Sequence, residues 1–177
     1  MTQQASTTWA TVIALPVAKL QADDVLAIGV TDSPYIFLSF ADDSELSKFR
    51  IDNDRCIVVR PKSLPPDPGV QAGAGLYKLR LDPVITVSIW SRLWIDQQGQ
   101  DTAYMHDSSL GIAALQTNVM NSLEQYMPIT SGGNYYFIQP MRMNPAGWQF
   151  PIKRVAEWGI CSCEFNFPFE MTTSVSG

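Results

Sequence analysis

The chain has 177 residues, 46% of them hydrophobic and only 16% charged, a length that points to one domain with a core needing neither disulfide nor metal. Its net charge is −5 and its pI about 4.7, and its twelve Lys and Arg form no basic run, which excludes a surface built to grip phosphates. No apolar run reaches membrane-spanning length. The opening MTQQASTTWA lacks a basic stretch followed by an apolar one, so no secretory signal is expected, and the odd count of Cys56, Cys161 and Cys163 fits free thiols in a reducing compartment.

In chain order, Trp9, Val12, Ile13, Pro16, Val17 and Leu20 mark one helix face, and Pro16 predicts that this helix either starts near Leu15 or breaks there. DSPYIFLSF (32–40) reads as a turn and an apolar strand, DDSELSKF (42–49) as a short helical turn capped by Asp42 or Asp43, and RCIVVR (55–60) as a strand. The Pro/Gly-rich PKSLPPDPGVQAGAG, residues 61–75, predicts a long projecting loop. LYKLRLD (76–82) alternates, and after Pro83 the strand VITVSIW puts Ile85, Val87 and Ile89 on one face and Thr86, Ser88 and Trp90 on the other, a polar face suggesting that one side of this sheet is not core.

HDSSLGIAALQTNVMNSLEQYMP holds the strongest helix. Ile112, Leu115, Val119, Leu123 and Tyr126 form one apolar stripe, Asp107, Ser108 or Ser109 supplies a cap, and Pro128 closes it. A strand is expected over YYFIQPMRM (135–143), a turn at NPAG (144–147), and an alternating strand in CSCEFNFPFE, with Cys161, Cys163, Phe165, Phe167 and Phe169 on one face. Residues 171–177 read as a flexible tail. The sum is a single α+β domain spanning 1–177: a mostly antiparallel β-sheet packed against one main amphipathic helix, with a long Pro/Gly-rich loop.

Signals for chemistry are weak. His106, Asp107 and Ser108 are sequence neighbours, whereas a triad is assembled in space from separate elements, so these residues read as loop and cap. Cys161 and Cys163 with Cys56 and His106 reach four metal ligands only by assumption, and three phenylalanines on the same face favour buried thiols acting as small hydrophobes. GVQAGAG lacks a phosphate-binding lysine and leads into a strand. The expectation is a chain with no catalytic, cofactor or metal site. The tryptophans and arginines near strand ends, Trp90, Arg92, Trp94, Arg142, Trp148 and Trp158, instead suggest a subunit or partner interface, because Trp and Arg are enriched at binding hot spots. Met141 and Met143 alternate in one strand and suit an adaptable contact.

The order of elements also resembles a known family. A strand ending VSIWSRLW, a polar loop IDQQGQDTAYMHD, the helix SSLGIAALQTNVMNSLEQY and a closing aromatic strand are similar to the neck and tail-terminator (tail-completion) proteins of long-tailed bacteriophages. Val87, Ile89, Trp90 and Ser91 match the family's strand pattern, Asp101 and Ala103 its loop, Leu115, Val119 and Leu123 its helix, and Pro140 with Arg142 a later strand. The resemblance covers roughly Leu76 to Phe169; Pro16 and the enlarged Pro/Gly stretch depart from it.

It implies a structural, non-enzymatic virion protein without cofactors, forming a homo-oligomeric ring of about six copies at the head–tail neck. Such a ring stops the tail tube, joins it to the head-side connector and lets DNA pass without specific binding, with no membrane involved and with assembly in the host cytoplasm. Asp96 and Asp101 would then lie on a loop facing the lumen or a partner. The alternative is another assembly adapter of a phage or phage-like particle: a connector or stopper, a capsid-associated or a tail-sheath-associated protein.

Overall fold

The computed structural model describes residues 8–24, 26, 35–48, 55–63, 71–73, 76–92, 111–155 and 157–174, and the side chains of these except 71–73, 76–79, 148–153 and 171–174. The elements in order are α1 (Trp9–Gln21), β1 (Tyr35–Leu38), α2 (Asp43–Leu46), β2 (Arg55–Ser63), β3 (Gln71–Gly73), β4 (Leu76–Leu81) and β5 (Val84–Arg92). They continue with α3 (Ile112–Leu123), β6 (Arg142–Val155), β7 (Trp158–Asn166) and β8 (Phe169–Ser174). Five strands form one sheet in the order β1-β2-β5-β7-β6, and three form a second, β3-β4-β8. Every pairing is antiparallel except β1 with β2. The α+β class and the mainly antiparallel sheet are as the alternation predicts.

Both sheets share one two-stranded ribbon. Antiparallel β5 and β7 run from Arg92↔Trp158 to Val84↔Asn166, and the same two chains resume as β4 and β8 from Leu81↔Phe169. Pro83 lies in one break and Pro168 in the other, and the Phe167 amide donates to the Pro83 carbonyl at 3.4 Å across the bend. Proline cannot extend a central ladder, so a proline in each chain at the same level turns the ribbon as a unit. The aromatic strand expected as one piece is therefore two, although its alternation survives the corner: Phe165, Phe167 and Phe169 are all buried in the same core.

That core covers one face of the large sheet. Ile57, Val59, Ile85, Val87, Ile89, Cys161, Cys163 and Phe165 meet Val12, Ile13 and Leu20 of α1 and Ile112, Leu115, Val119 and Leu123 of α3. Each such side chain contributes about 1.5–3 kcal/mol by leaving water. Both α1 and α3 cover this face, α3 carrying the apolar stripe expected of the main helix.

Several expected boundaries move, each for a local reason. Helix α1 runs unbroken through Pro16, which is buried on its apolar face; burial offsets the backbone bond proline cannot donate. Thr8, not a residue near Leu15, caps it, its hydroxyl accepting from the Thr11 amide at 3.3 Å. Helix α3 starts after Gly111, which caps it without a side-chain bond, and ends at Leu123, before Gln125 takes a left-handed backbone (φ 65°). The stop thus precedes Pro128, and the capping candidates Asp107–Ser109 lie outside the described residues. Pro61–Ser63 belongs to β2 and Gln71–Gly73 to β3, so the described parts of 61–75 are strand. Pro61 is tolerated because β1 ends opposite Val59: Val59 turns its carbonyl toward β1, and its same-facing neighbour Pro61 sits where that flank is open. The expected turn at 144–147 is a bulge within β6, whose register to β7 shifts between Asn144 and Gln149, and only Arg142 and Met143 of the segment 135–143 are strand. Residues 171–174 belong to β8.

Candidate functional site

The second face of the large sheet carries most of the residues predicted to bind. Its rows follow from strand register. Cys56, Trp90, Ile160 and Lys153 lie side by side; so do Val58, Ser88, Ser162 and Gln149; and so do Arg60, Thr86, Glu164 and Asn144. Cys56, Trp90 and Ile160 of the first row and Val58 of the second build a second apolar cluster with Trp158, capped by Leu46 of α2 and edged by Phe37, Ala41 and Val155. Trp90 is 0% and Trp158 1% exposed, and their rings meet edge to face at 5.9 Å. These two tryptophans are core and offer no surface to a partner, which corrects their assignment as interface anchors. The physical reason is that α2 folds back over the strand face that the polar Thr86 and Ser88 had marked as open.

The arginines complete this cluster. The Arg92 guanidinium lies 5.2 Å from the centre of the Trp158 ring and 3.4 Å from Glu157 Oε1. The Arg60 guanidinium lies 5.9 Å from the Trp90 ring and pairs with Asp43 of α2. Each cation over a ring contributes about 0.5–2 kcal/mol. Arg92 is half-buried and serves this cluster, whereas Arg142 is exposed at the start of β6. Trp148 lies in β6 with its side chain outside the described part; Trp94, Asp96, Asp101 and His106 lie outside the described residues altogether.

Toward the polar end, Lys62 Nζ donates to Glu164 Oε1 at 2.5 Å. The Glu164 side chain is 9% exposed and that of Lys62 54%, so the lysine brings charge to a carboxylate that would otherwise be buried unpaired. Backbone from β6 passes over this glutamate at Gly147, where a Cβ would overlap Glu164 Cβ and Cγ.

The thiols divide between the faces. Cys161 and Cys163 sit under the helices and Cys56 in the tryptophan cluster, so the three never converge on one point. Burial pushes Cys56 and Cys161 up to about 12 and Cys163 higher still. Among the described residues no group of three His, Cys, Asp or Glu is arranged to hold a metal ion.

Sequence reasoning missed the surfaces at the two edges of the sheet. At the β1 edge Tyr35 is 54% and Phe40 76% exposed, and the Tyr35 ring lies 5.0 Å from that of Phe37, tilted by 32°. α2 beside it opens on Asp42, whose carboxylate accepts from the Glu45 amide at 2.8 Å while Glu45 accepts from the Asp42 amide. These bonds, first that from the Glu45 amide and then that from the Ser44 hydroxyl, hold the Asp42 carboxyl below its usual value. At the β6 edge a cleft of about 290 Å³ is lined by Met120, Asn121 and Glu124 of the α3 end and Met143 and Pro145 of β6. Met143 belongs to this cleft but Met141 is wholly buried, so the two methionines do not act together. The only forewarning was in the flanks: Tyr35 and Phe40 bracket a run whose interior is apolar.

At each edge one outward backbone group is met by a side chain. Gln21 donates to the Ile36 carbonyl of β1 at 2.9 Å, and Glu124 accepts from the Met143 amide of β6 at 2.7 Å. These two bonds each occupy a backbone group that an added strand would need, which favours recognition through side chains. No helix among the described residues is long and apolar enough to cross a membrane. No family model matches the chain, and no curated protein matches it significantly.

Proposed function

We propose that the chain is a structural, non-enzymatic ring subunit of a phage head–tail neck, terminating the tail tube and joining it to the head-side connector while DNA passes. One observation supports this reading above the others: the large sheet ends in two unlike exposed edges, aromatic and acidic at β1, methionine-lined and basic at β6. A cyclic assembly needs such a pair, because each subunit meets its neighbour through two different patches. The net charge of −5 fits a lumen through which phosphates slide without sticking. The aromatic-strand and helix succession resembling tail-terminator proteins supplies the particular setting.

The test is mass by light scattering with negative-stain images, then mixing with tail tubes. A hollow ring several times the 19.7 kDa of one chain, or capped tube ends, is expected. A chain that stays monomeric and leaves tube ends bare sinks the proposal. A second reading, an adapter elsewhere in a phage-like particle, draws on the methionine cleft, since methionine adapts to varied partners; oligomerisation without tube capping favours it.

A further inference from the structure

Resting on the ring reading, we infer that the two edges of the five-stranded sheet are each other's partners: the Tyr35/Phe40 edge with α2 of one copy docks against the β6 edge with its methionine cleft on the next copy.

Three observations carry this. The first is charge. α2 and its cap, Asp42–Leu46, hold three acidic residues and no basic one, whereas Arg142–Val155 of β6 holds Arg142, Lys153 and Arg154 and no acidic residue. In a chain of net charge −5, the exposed Arg142 and Arg154 of β6 offer charge opposite to that of the acidic edge. Opposed patches of this kind select partner and orientation more than they add raw affinity. Asp43 is engaged with Arg60, so Asp42 and Glu45, both exposed, are the groups that face outward.

The second is shape and polarity. Phe40 and Tyr35 are two of the large apolar side chains most exposed among the described residues, and an aromatic ring entering an apolar pocket is the usual anchor of a protein contact. The cleft presents Met120, Met143 and Pro145 beside the polar Asn121 and Glu124, the latter engaged with the Met143 amide, and its methionines adjust to a ring.

The third is edge chemistry. Gln21 and Glu124 already satisfy an outward carbonyl on one edge and an outward amide on the other, so copies meet through side chains and do not extend the sheet into a fibre. The two patches lie at opposite ends of the strand order, so the contact is head to tail, the arrangement that repeats around a ring.

Sedimentation velocity of the full chain tests this with two variants at exposed positions, Phe40→Ser and Arg142→Glu, each checked for native circular dichroism. Wild type is expected to self-associate, and each variant to weaken that association at least about tenfold. An equimolar mixture of the two variants is the decisive sample. Each retains one intact patch of opposite kind, so the mixture should give a species of two subunits that grows no further. Variants that assemble like wild type overturn the docking and leave the ring reading standing. Variants that are both monomeric and give no two-subunit species on mixing overturn it as well, since the contact is then not head to tail between these edges. A wild type that stays monomeric at every concentration overturns the self-docking outright, and tube capping then decides the ring reading alone.

Discussion

The two faces of the large sheet are built from alternate residues of the same strands yet are held by different forces. One face lies under α1 and α3, thirteen and twelve residues long, and its contacts are mostly apolar, with buried Gln116 of α3 donating to the Ser162 carbonyl at 3.3 Å. The other is covered, among the described residues, by the four-residue α2, and it mixes a tryptophan pair, two arginines over rings and a buried glutamate. Area removed from water dominates the first; cation–π contacts and a paired charge, each smaller, tune the second. The comparison predicts unequal responses. Phe165→Ala, under the helices, should cost about 3–5 kcal/mol in urea unfolding. Trp90→Phe, which keeps an aromatic ring over Arg60 on the other face, should cost less than about 1.5 kcal/mol. Equal losses would mean that the thinly covered face is as deep a core as the helical one.

Gly147 offers the next largest effect. Its Cα lies against the Glu164 side chain, so Gly147→Ala should destabilise by about 1–3 kcal/mol through overpacking. The same substitution made in a Glu164→Gly background should cost clearly less, because the overlapping Cβ, Cγ and carboxyl carbon are all gone; a double-mutant cycle reads the difference. Equal costs in both backgrounds would assign the effect to the bulge backbone instead.

Much of the first face was legible in the sequence, and little of the second. Period-2 alternation in Val84–Trp90 and Cys161–Phe169 placed every buried member of the helical face correctly, because burial of a whole side-chain row is written into composition. The opposite row reads Thr86, Ser88, Trp90, and its polar start suggested an open surface. Whether a tryptophan at a strand end is anchor or core depends on what folds over it, here a helix forty residues earlier, and local periodicity carries no such information. The same limit applies to Pro16: propensity argues against it in a helix, and tertiary burial overrides propensity. The edge surfaces were hidden for a further reason. Phe40 and Met143 become neighbours of solvent only through strand order, which a sequence without an alignment does not express.

Lys62 and Glu164 sharpen the comparison at its polar margin. Lys62→Met removes the cation while keeping the stem, and leaves a carboxylate that is 9% exposed without its partner. A fully buried broken pair costs about 3–5 kcal/mol, but Lys62 is more than half exposed and water reaches the site, so about 1–2 kcal/mol is expected. Lys62→Met combined with Glu164→Gln should recover most of that loss in thermal unfolding. Failure to recover would show that Lys62 acts through its packing rather than its charge.

The thiols give the finest comparison, because nature placed one reporter on the thin face and two on the thick one. Cys56 lies beneath the cover that includes α2, Cys161 and Cys163 beneath α1 and α3. A thiol reacts as thiolate and only when exposed, so each labels when its own cover opens. Local openings span free energies from near zero up to the global value, and thinly packed elements open first. Cys56 should therefore label first in dilute urea, at a rate that responds to the small opening of α2, whereas Cys161 and Cys163 should label together and only with global unfolding. The acidity of these groups adds a sign. The folded state holds all three thiol protons more tightly than the unfolded chain, whose value lies near 9.0, with Cys56 and Cys161 at about 12. Their contribution is thus intact below pH 9 and is lost as pH climbs from 9 toward 12. Alkaline titration of the Cys56→Ala variant should show a shallower fall in melting temperature over that range than wild type. Simultaneous labelling of all three cysteines in dilute urea would mean that the two faces open as one unit, and the division between a thick and a thin side of the sheet would be geometric only.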